Sequence, residues 1–213
     1  MRDDRRREID PQTLTPELLI AAYSRGIFPM VDSRNGEVGW YSPDPRAIIP
    51  LDSFHVPRSL ARVVRSGRFE LRTDTSFEVV MRACAEARPG REETWIDDRM
   101  VAAYVGLQRA GLAHSLEAWR EDRLVGGLYG VHIGGAFFGE SMFSLCELGG
   151  TDASKVCLVR LVELMRARGF ALLDTQFTTE HLVRFGCIEI PRPQYLRKLT
   201  AALGREARWP AQL

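Results

Sequence analysis

Apolar residues recur at helical spacing in six stretches of this chain and form strand-like runs in four others. Thr15 precedes the first helical stretch as its predicted N-cap, and Pro16 takes the first helical position. The adjacent glycines Gly134 and Gly135 predict a hairpin turn between two strands. Because both patterns are interspersed, the fold should contain helices and strands. The predicted helices cover residues 16–23, 57–65, 75–87, 97–110, 154–168 and 194–203, and the predicted strands cover residues 114–119, 124–131, 136–142 and 170–177.

The stretch from residue 28 to residue 50 lacks this periodicity and is rich in proline and turn residues. Within it, Asn35-Gly36 is a strong signal for a tight turn. Its apolar residues, among them Phe28 and Trp40, are too numerous for a linker. We therefore predict a small N-terminal subdomain over residues 1–50 that packs on a main domain over residues 51–213.

Composition and charge narrow the class of protein. The net charge of +1 means that the chain as a whole is not a polycation. The four cysteines show no C-x-x-C spacing, and no histidine has a ligand partner four residues on, so we predict no metal site. The first residues lack the apolar core of a secretory leader, and the uncharged stretch at residues 124–139 is too short to span a bilayer. We expect a cytoplasmic protein that does not contact a membrane.

Two acidic residues stand at the ends of apolar strands. Glu140 follows the uncharged stretch at residues 124–139, and Asp174 follows residues 170–173, with Gln176 two residues further on. An acid in such a place is costly to bury unless it has partners or a chemical role. Adjacent strand ends commonly open onto a ligand crevice, so these residues are candidates for a functional site. The alternative is a pair of structural acids that bind arginine or backbone amides.

Aromatic residues near the predicted helix at residues 97–110 suggest a place for a nucleobase. Trp95 lies where a loop enters this helix, and its indole can present a flat face to a base. Tyr104, on the helix itself, has the same potential. For both residues, a place in the hydrophobic core is the alternative.

Basic residues mark two possible anion sites. Arg58, Arg62 and Arg65 recur at helical spacing and form a positive stripe suited to a phosphate backbone, unless they are only a solvated face. Ser154 and Lys155 begin a predicted helix, where amide groups and a lysine favour an anion. Simple capping by Ser154 is the alternative.

Two glycine-containing segments, residues 108–113 and 166–171, match the Q/R-x-x-G-x-A/G pattern of acetyl-coenzyme A pyrophosphate loops. In such loops the segment follows a strand and opens a helix, so that amide groups face the phosphates. Here the predicted order is reversed, because each segment ends a helix and enters a strand. This order favours glycine C-caps over a coenzyme A site.

Ten short motifs in this sequence, in order from about residue 16 to residue 199, resemble those of the bacterial leucyl/phenylalanyl-tRNA–protein transferases. A single such motif would be weak, but ten in the same order are specific. The motifs occupy residues 23–29 (Tyr-Ser-Arg-Gly-Ile-Phe-Pro), 40–46, 54–59, 94–96, 114–119, 126–130, 139–144 (Gly-Glu-Ser-Met-Phe-Ser), 153–155, 173–176 (Leu-Asp-Thr-Gln) and 189–192.

The resemblance implies an α+β fold with a GNAT-like acyltransferase core, a mixed β-sheet flanked by helices, and a small N-terminal subdomain. It implies transfer of leucine or phenylalanine from aminoacyl-tRNA to the α-amine of proteins that begin with arginine or lysine. The product carries a destabilising N-terminal residue that marks it for proteolysis. The resemblance implies no metal and no coenzyme A, and we expect a monomer.

The resemblance also assigns roles to residues. Asp174, Gln176 and Glu140 would be catalytic, with Asp174 and Gln176 taking up or orienting the amine proton. Many family members have a second tryptophan at the position of Met30, where a thioether can still pack on a ring. The donor pocket would be formed by Leu128, Phe137, Phe138, Met142 and Leu161, and the tRNA with its terminal adenosine would contact Tyr23, Met30, Trp95, Tyr104, Ser154, Lys155, Arg58, Arg62 and Arg65.

Two other functions stay open on the sequence. A coenzyme A-dependent N-acyltransferase would need the pyrophosphate loop that the predicted element order disfavours. A non-catalytic RNA-binding module would keep the arginine stripe and Trp95, but it would have no need of Asp174 and Gln176.

Overall fold

The computed structural model describes residues 14–87 and 93–213. Its helices are α1 (Pro16–Tyr23), α2 (Arg58–Arg65), α3 (Phe77–Ala85), α4 (Asp98–Arg109), α5 (Ala153–Ala167), α6 (Glu180–Val183) and α7 (Arg192–Leu203). Its strands are β1 (Phe28–Val31), β2 (Val38–Tyr41), β3 (Arg46–Ile49), β4 (Glu70–Thr73), β5 (Ala113–Arg120), β6 (Arg123–Ile133), β7 (Ala136–Ser144), β8 (Leu172–Gln176) and β9 (Ile188–Ile190).

The N-terminal stretch contains a helix and a β-hairpin. The Thr15 hydroxyl accepts a hydrogen bond from the Leu18 amide, which confirms the predicted N-cap of α1. Strands β1 and β2 pair antiparallel, and the predicted turn at Asn35-Gly36 lies in the loop between them. Gly36 has a φ of +71°, a conformation that glycine adopts without strain. Short strands therefore form where the sequence predicted only loops.

The main sheet contains seven of these strands in the order β4-β5-β6-β7-β8-β3-β9. Neighbouring strands pair antiparallel, except that β7 and β8 are parallel and are connected through α5. The predicted hairpin at Gly134-Gly135 is confirmed, since β6 ends at Ile133 and β7 begins at Ala136. The division of the chain at residue 50 stays a prediction, and β3, on its N-terminal side, belongs to this main sheet.

Helices cover both faces of the sheet. Helices α1, α3, α4 and α7 contribute to a core on one face, whereas α2 and α5 contribute to a core on the other. The two glycine-containing segments end α4 and α5 and lead into β5 and β8, with Gly111 at φ +72° and Gly169 at φ +86°. Both are therefore helix C-caps. The mixed sheet flanked by helices confirms the α+β class.

The parallel pair β7–β8 separates before its strands end. Pairing joins Ala136–Phe138 to Leu172–Asp174, whereas β7 continues to Ser144 and β8 to Gln176. Glu140 and Gln176 thus lie beyond the last paired residues. The gap between the two diverging strands is where the candidate site lies.

Candidate active site

A cavity of about 320 Å³ opens between the diverging ends of β7 and β8. Its floor is apolar, because Leu128 of β6, Met142 of β7 and Leu158 and Leu161 of α5 face into it. Glu140 and Gln176 line the same cavity. The cavity therefore combines a largely apolar lining with hydrogen-bonding groups.

Three of the five residues predicted for a donor pocket, Leu128, Met142 and Leu161, line this cavity. Phe137 and Phe138 do not, and both are 0% exposed. They lie in the paired part of β7, where the helices cover both faces of the sheet. Phe137 stacks on Trp209 at 5.3 Å and Phe138 packs on Tyr23 at 4.9 Å between ring centroids. Their prediction as pocket residues is wrong because strand alternation buries them in the two cores.

Glu140 has an environment that favours its neutral form. The residue is partly open to the cavity, but its carboxyl group is surrounded by protein, and this burial raises its pKa to about 8. The hydroxyls of Tyr23 and Tyr104 interact with it and oppose the rise, whereas the nearby charge of Asp174 adds to it. Gln176 Nε2 donates a hydrogen bond to Glu140 Oε1 at 3.1 Å. Glu140 can therefore exchange a proton near neutral pH.

Asp174 lies behind the cavity wall and is 0% exposed. The Arg46 guanidinium donates to both of its carboxylate oxygens, Nε to Oδ1 at 2.9 Å and Nη2 to Oδ2 at 2.6 Å. Tyr195 Oη donates to Oδ2 at 2.7 Å, and the backbone amide of Gln176 donates to Oδ1 at 2.9 Å. The carboxylate is thus occupied by internal partners. The expectation that Asp174 takes up a substrate proton is corrected, because no face of this carboxylate lines the cavity.

Gln176 adopts a left-handed backbone conformation, with φ +58°. The Phe177 amide donates to the Thr175 carbonyl oxygen at 2.6 Å, so the chain makes a three-residue γ-turn at Gln176. Such a conformation is strained for a residue with a side chain, and strain of this kind concentrates at functional sites. The hydrogen bond from the Gln176 backbone amide to the Asp174 carboxylate stabilises this turn. Asp174 therefore positions Gln176.

The aromatic residues predicted to contact adenosine separate into two groups. Trp95 and Met30 line the cavity, and the Val31 amide, next to Met30, donates to the Trp95 carbonyl oxygen at 3.2 Å. Tyr23 and Tyr104 are 0% exposed, and their hydroxyls hydrogen-bond to each other beneath Glu140. These two tyrosines cannot present a face to a base, so the prediction for them is corrected to a contact with Glu140.

The helix start at Ser154 differs from the prediction. Helix α5 begins at Ala153, and the Ser154 amide donates to the Ser144 hydroxyl at 3.0 Å. Ser154 is therefore a buried residue of the first turn and not the N-cap. Lys155 pairs with Asp152 at 2.6 Å and remains partly exposed near the cavity residue His181, whose pKa is lowered by burial and by the charge of Lys155.

The predicted arginine stripe lies on the surface. Arg58, Arg62 and Arg65 are exposed on α2, whose Leu60 packs against the core beneath α5. Within residues 14–87 and 93–213 none of the three guanidinium groups forms an ion pair. They are free to meet a polyanion, although they lie outside the cavity itself.

The sequence did not identify Arg46, Tyr195 and Leu158 as site residues. Arg46 is 1% exposed, and its guanidinium also covers the Phe28 and Tyr195 rings at 4.8 and 4.6 Å. The sequence contained one signal for Arg46, because Pro45-Arg46 ends the family motif at residues 40–46. Leu158, one turn before Leu161, could have been found from the helical period of α5.

A sheet that opens onto an apolar cavity, lined also by a carboxyl group of raised pKa and a strained glutamine, is the arrangement of an enzyme that binds an apolar group. Comparison with known families is more specific. The family model described as leucyl/phenylalanyl-tRNA protein transferase matches residues 48–200, and the model of the N-terminal domain of the same family matches residues 12–44. The chain belongs to the leucyl/phenylalanyl-tRNA protein transferase family.

Curated relatives agree with this assignment. A protein of Rubrobacter xylanophilus named leucyl/phenylalanyl-tRNA–protein transferase is 56% identical over 191 residues, which is 89% of this chain and 95% of the relative. Proteins of the same name from Gloeobacter violaceus and Paramagnetospirillum magneticum are each 53% identical, over 90% and 91% of this chain and 95% and 91% of their own lengths. These coverages mean that the similarity extends over nearly the whole chain.

Among solved structures, L-PGS from Bacillus licheniformis is similar at a TM-score of 0.42 and 14% identity, over 78% of this chain and 55% of that one. This likeness is too distant to assign a fold family.

Proposed function

We propose that this protein transfers leucine or phenylalanine from aminoacyl-tRNA to the α-amine of proteins that begin with arginine or lysine. The observation that carries the proposal is the apolar cavity that ends at Glu140 and Gln176. The apolar floor suits the side chain of the donor amino acid, and the polar end suits the ester and the incoming amine. The family assignment supplies the reaction class that these features fit.

The donor would lie along the cavity from its outer part to its floor. Its side chain would rest on Leu128, Met142 and Leu161, where the flexible methionine accommodates either of two shapes. The terminal adenosine would stack on Trp95 beside Met30. The phosphate backbone would run over Lys155 and the arginine stripe of α2, whose exposed charges support this role.

The reaction forms an amide and breaks an ester. The amine nitrogen of the acceptor attacks the ester carbonyl carbon, the nitrogen loses a proton, and the bond to the 3′-oxygen of the terminal ribose breaks as that oxygen gains a proton. An acid with a pKa of about 8 can take the proton from nitrogen and return it to the oxygen, so we assign this transfer to Glu140. Gln176 orients Glu140, and Asp174 with Arg46 holds Gln176 in its turn.

The separation of β7 and β8 around the site supports a GNAT-like core, which stays a proposal. The fate of the reaction product is also a proposal. A protein that gains an N-terminal leucine or phenylalanine would become a substrate for proteolysis.

In the described part of the chain no helix is long and apolar enough to cross a membrane. A monomer in the cytoplasm remains our expectation.

The direct test mixes the protein with labelled Phe-tRNA and a peptide that begins with arginine. The proposal predicts labelled peptide, and it predicts much less from a peptide that begins with an uncharged residue. Binding of the tRNA without labelled peptide would instead support a non-catalytic RNA-binding module. A shift in melting temperature with saturating acetyl-coenzyme A would support the N-acyltransferase alternative.

A further inference from the structure

Two aromatic rings are exposed at the mouth of the cavity, although most large apolar side chains of the described chain are buried. Tyr41 is 40% exposed and Phe177 is 47% exposed. Both contact the ring of Phe28, at centroid distances of 6.0 Å for Tyr41 and 5.8 Å for Phe177. Phe28 and Phe177 line the cavity, and Phe28 is only 3% exposed, so Tyr41 and Phe177 form an exposed aromatic surface that adjoins the cavity at Phe28.

The backbone places both exposed residues beside the cavity. Phe177 directly follows the γ-turn at Gln176. Tyr41 pairs with Phe28 across the β1–β2 hairpin and lies over Gly39, where an added Cβ would come within 2.7 Å of the Tyr41 hydroxyl oxygen. Gly39 therefore leaves the space that the ring of Tyr41 occupies. The two exposed rings flank Phe28 without a ring contact between them.

This aromatic surface lies at the opposite end of β1 from Trp95. Trp95 bonds to Val31 at one end of the strand, whereas Phe28 is the first residue at the other end. Phe177 directly follows Gln176, which bonds to Glu140. If the adenosine of the donor occupies the Trp95 end, the acceptor amine reaches Glu140 from the Phe28 end. The side chain next to that amine would then pass over Tyr41 and Phe177.

We propose that Tyr41 and Phe177, which flank the buried ring of Phe28, form the site that recognises the cationic first side chain of the acceptor. This inference rests on the proposed function and adds the residues that select the acceptor. A guanidinium or ammonium group is attracted to the negative face of an aromatic ring, whereas an uncharged side chain of the same shape is not. The same contact already occurs inside the protein, where the Arg46 guanidinium covers the Phe28 ring. Asp174 neutralises Arg46, so this buried cation does not repel a second one at the exposed rings.

The test compares two peptides that differ in one charge, one beginning with arginine and one with citrulline. At saturating Phe-tRNA, the ratio of their kcat/KM values measures recognition of the charge. We expect Phe177→Leu and Tyr41→Leu each to reduce this ratio about two- to five-fold, the effect of one partly exposed cation–π contact. Phe177→Tyr should restore it, since the ring is kept. The KM for Phe-tRNA should not change, and Leu148→Ala, at an exposed apolar residue outside the cavity lining, should leave the ratio unchanged.

An unchanged ratio in both leucine variants would overturn the inference, and so would an equal loss for the two peptides, because the rings would then supply only apolar contact. Melting temperatures identify a leucine variant that fails to fold. In that case the other leucine variant, together with Phe177→Tyr, tests the inference. If the unaltered protein makes no labelled peptide from arginine or citrulline peptides, the proposed function itself fails. That result differs from labelled product with an unchanged ratio.

Discussion

At the scale of single residues, the chemistry depends on how Glu140 is buried. Its carboxyl group lies among the hydroxyls of Tyr23 and Tyr104 and the side-chain amide of Gln176, and burial raises its pKa to about 8. A general acid–base group is most effective when its pKa is close to the working pH. The surroundings of Glu140 therefore tune a common side chain for proton transfer.

Replacing Glu140 by glutamine should lower kcat for peptide formation by about 10²- to 10⁴-fold, because the amide cannot take up the amine proton. Steady-state transfer of labelled phenylalanine at saturating tRNA and peptide measures this effect. Glu163→Gln makes the same chemical change on α5 at an exposed glutamate and serves as the control. A fully active Glu140→Gln variant would remove Glu140 from the mechanism.

The buried carboxyl group also makes stability depend on pH. With a pKa raised from the ordinary 4.5 to about 8, Glu140 is protonated in the folded chain and ionised in the unfolded chain between these values. Folding then takes up a proton, so stability is complete below about pH 4.5 and falls as the pH rises to about 8. Relative to Glu140→Gln, the unaltered protein should lose free energy of unfolding over this range in urea titrations. A constant difference between the two would contradict the buried state of Glu140.

The sequence predicted Glu140 and Gln176 at strand ends, and both line the cavity. It could not separate Asp174 from Glu140, because both acids follow uncharged runs, with Gln176 two residues after Asp174. What distinguishes Asp174 is its pairing with Arg46, which is 128 positions away in the sequence. A contact of that separation leaves no periodic signal, so its internal role emerged only from the structure.

At the scale of elements, the separation of β7 and β8 creates the cavity, and the Arg46–Asp174 pair joins β8 to β3 next to it. Both partners are buried, so each depends on the other to offset the loss of hydration. The pair thus ties β8, the strand that carries Gln176, to its neighbour β3.

Asp174→Asn should lower the free energy of unfolding by about 3–5 kcal/mol, because it leaves the buried Arg46 charge without its partner. Urea unfolding measures the change. Asp32→Asn removes a partner of Arg34 at the exposed hairpin loop, where solvent screens the charges, and should cost far less than Asp174→Asn. Equal effects of the two variants would mean that the buried pair does not hold the sheet as described.

Long elements were predictable and short ones were not. The helix period located α4 and α5, and the glycine pair located the turn between β6 and β7. Strands β1, β2, β3 and β9 have only three or four residues and lie among prolines and glycines, so tertiary pairing decides their conformation. The same pairing brings Phe28 and Tyr41 together at the cavity mouth, which no local pattern indicated.

At the scale of the whole molecule, the C-terminal residues close the core on the α5 face of the sheet. Trp209 stacks between His114, at 4.4 Å, and Phe137, at 5.3 Å, and its Nε1 donates to the Thr73 hydroxyl at 2.8 Å. The end of the chain thus contacts residues from β4, β5 and β7. These contacts leave the cavity on the other end of β7 untouched.

Trp209→Ala should therefore reduce stability while donor recognition is kept. The indole is half-buried, so we expect a loss of roughly 2 kcal/mol, below the 3–5 kcal/mol typical of a fully buried aromatic residue. Trp209→Phe keeps the stacking and should recover most of the loss. Thermal unfolding gives the order of the three proteins, and an alanine variant as stable as the original would disprove the role of this contact.

The central claim is that the apolar floor between β7 and α5 holds the side chain of the donor amino acid. Leu161→Phe would reduce the space there, and a larger donor side chain should suffer more than a smaller one. The most direct measurement is therefore the ratio of kcat/KM for Leu-tRNA to that for Phe-tRNA with one arginine-started peptide. We predict that Leu161→Phe raises this ratio by about ten-fold or more, within the range that one methylene group can produce in an apolar pocket. An unchanged ratio in a folded variant would contradict the claim, because the donor side chain would then lie elsewhere.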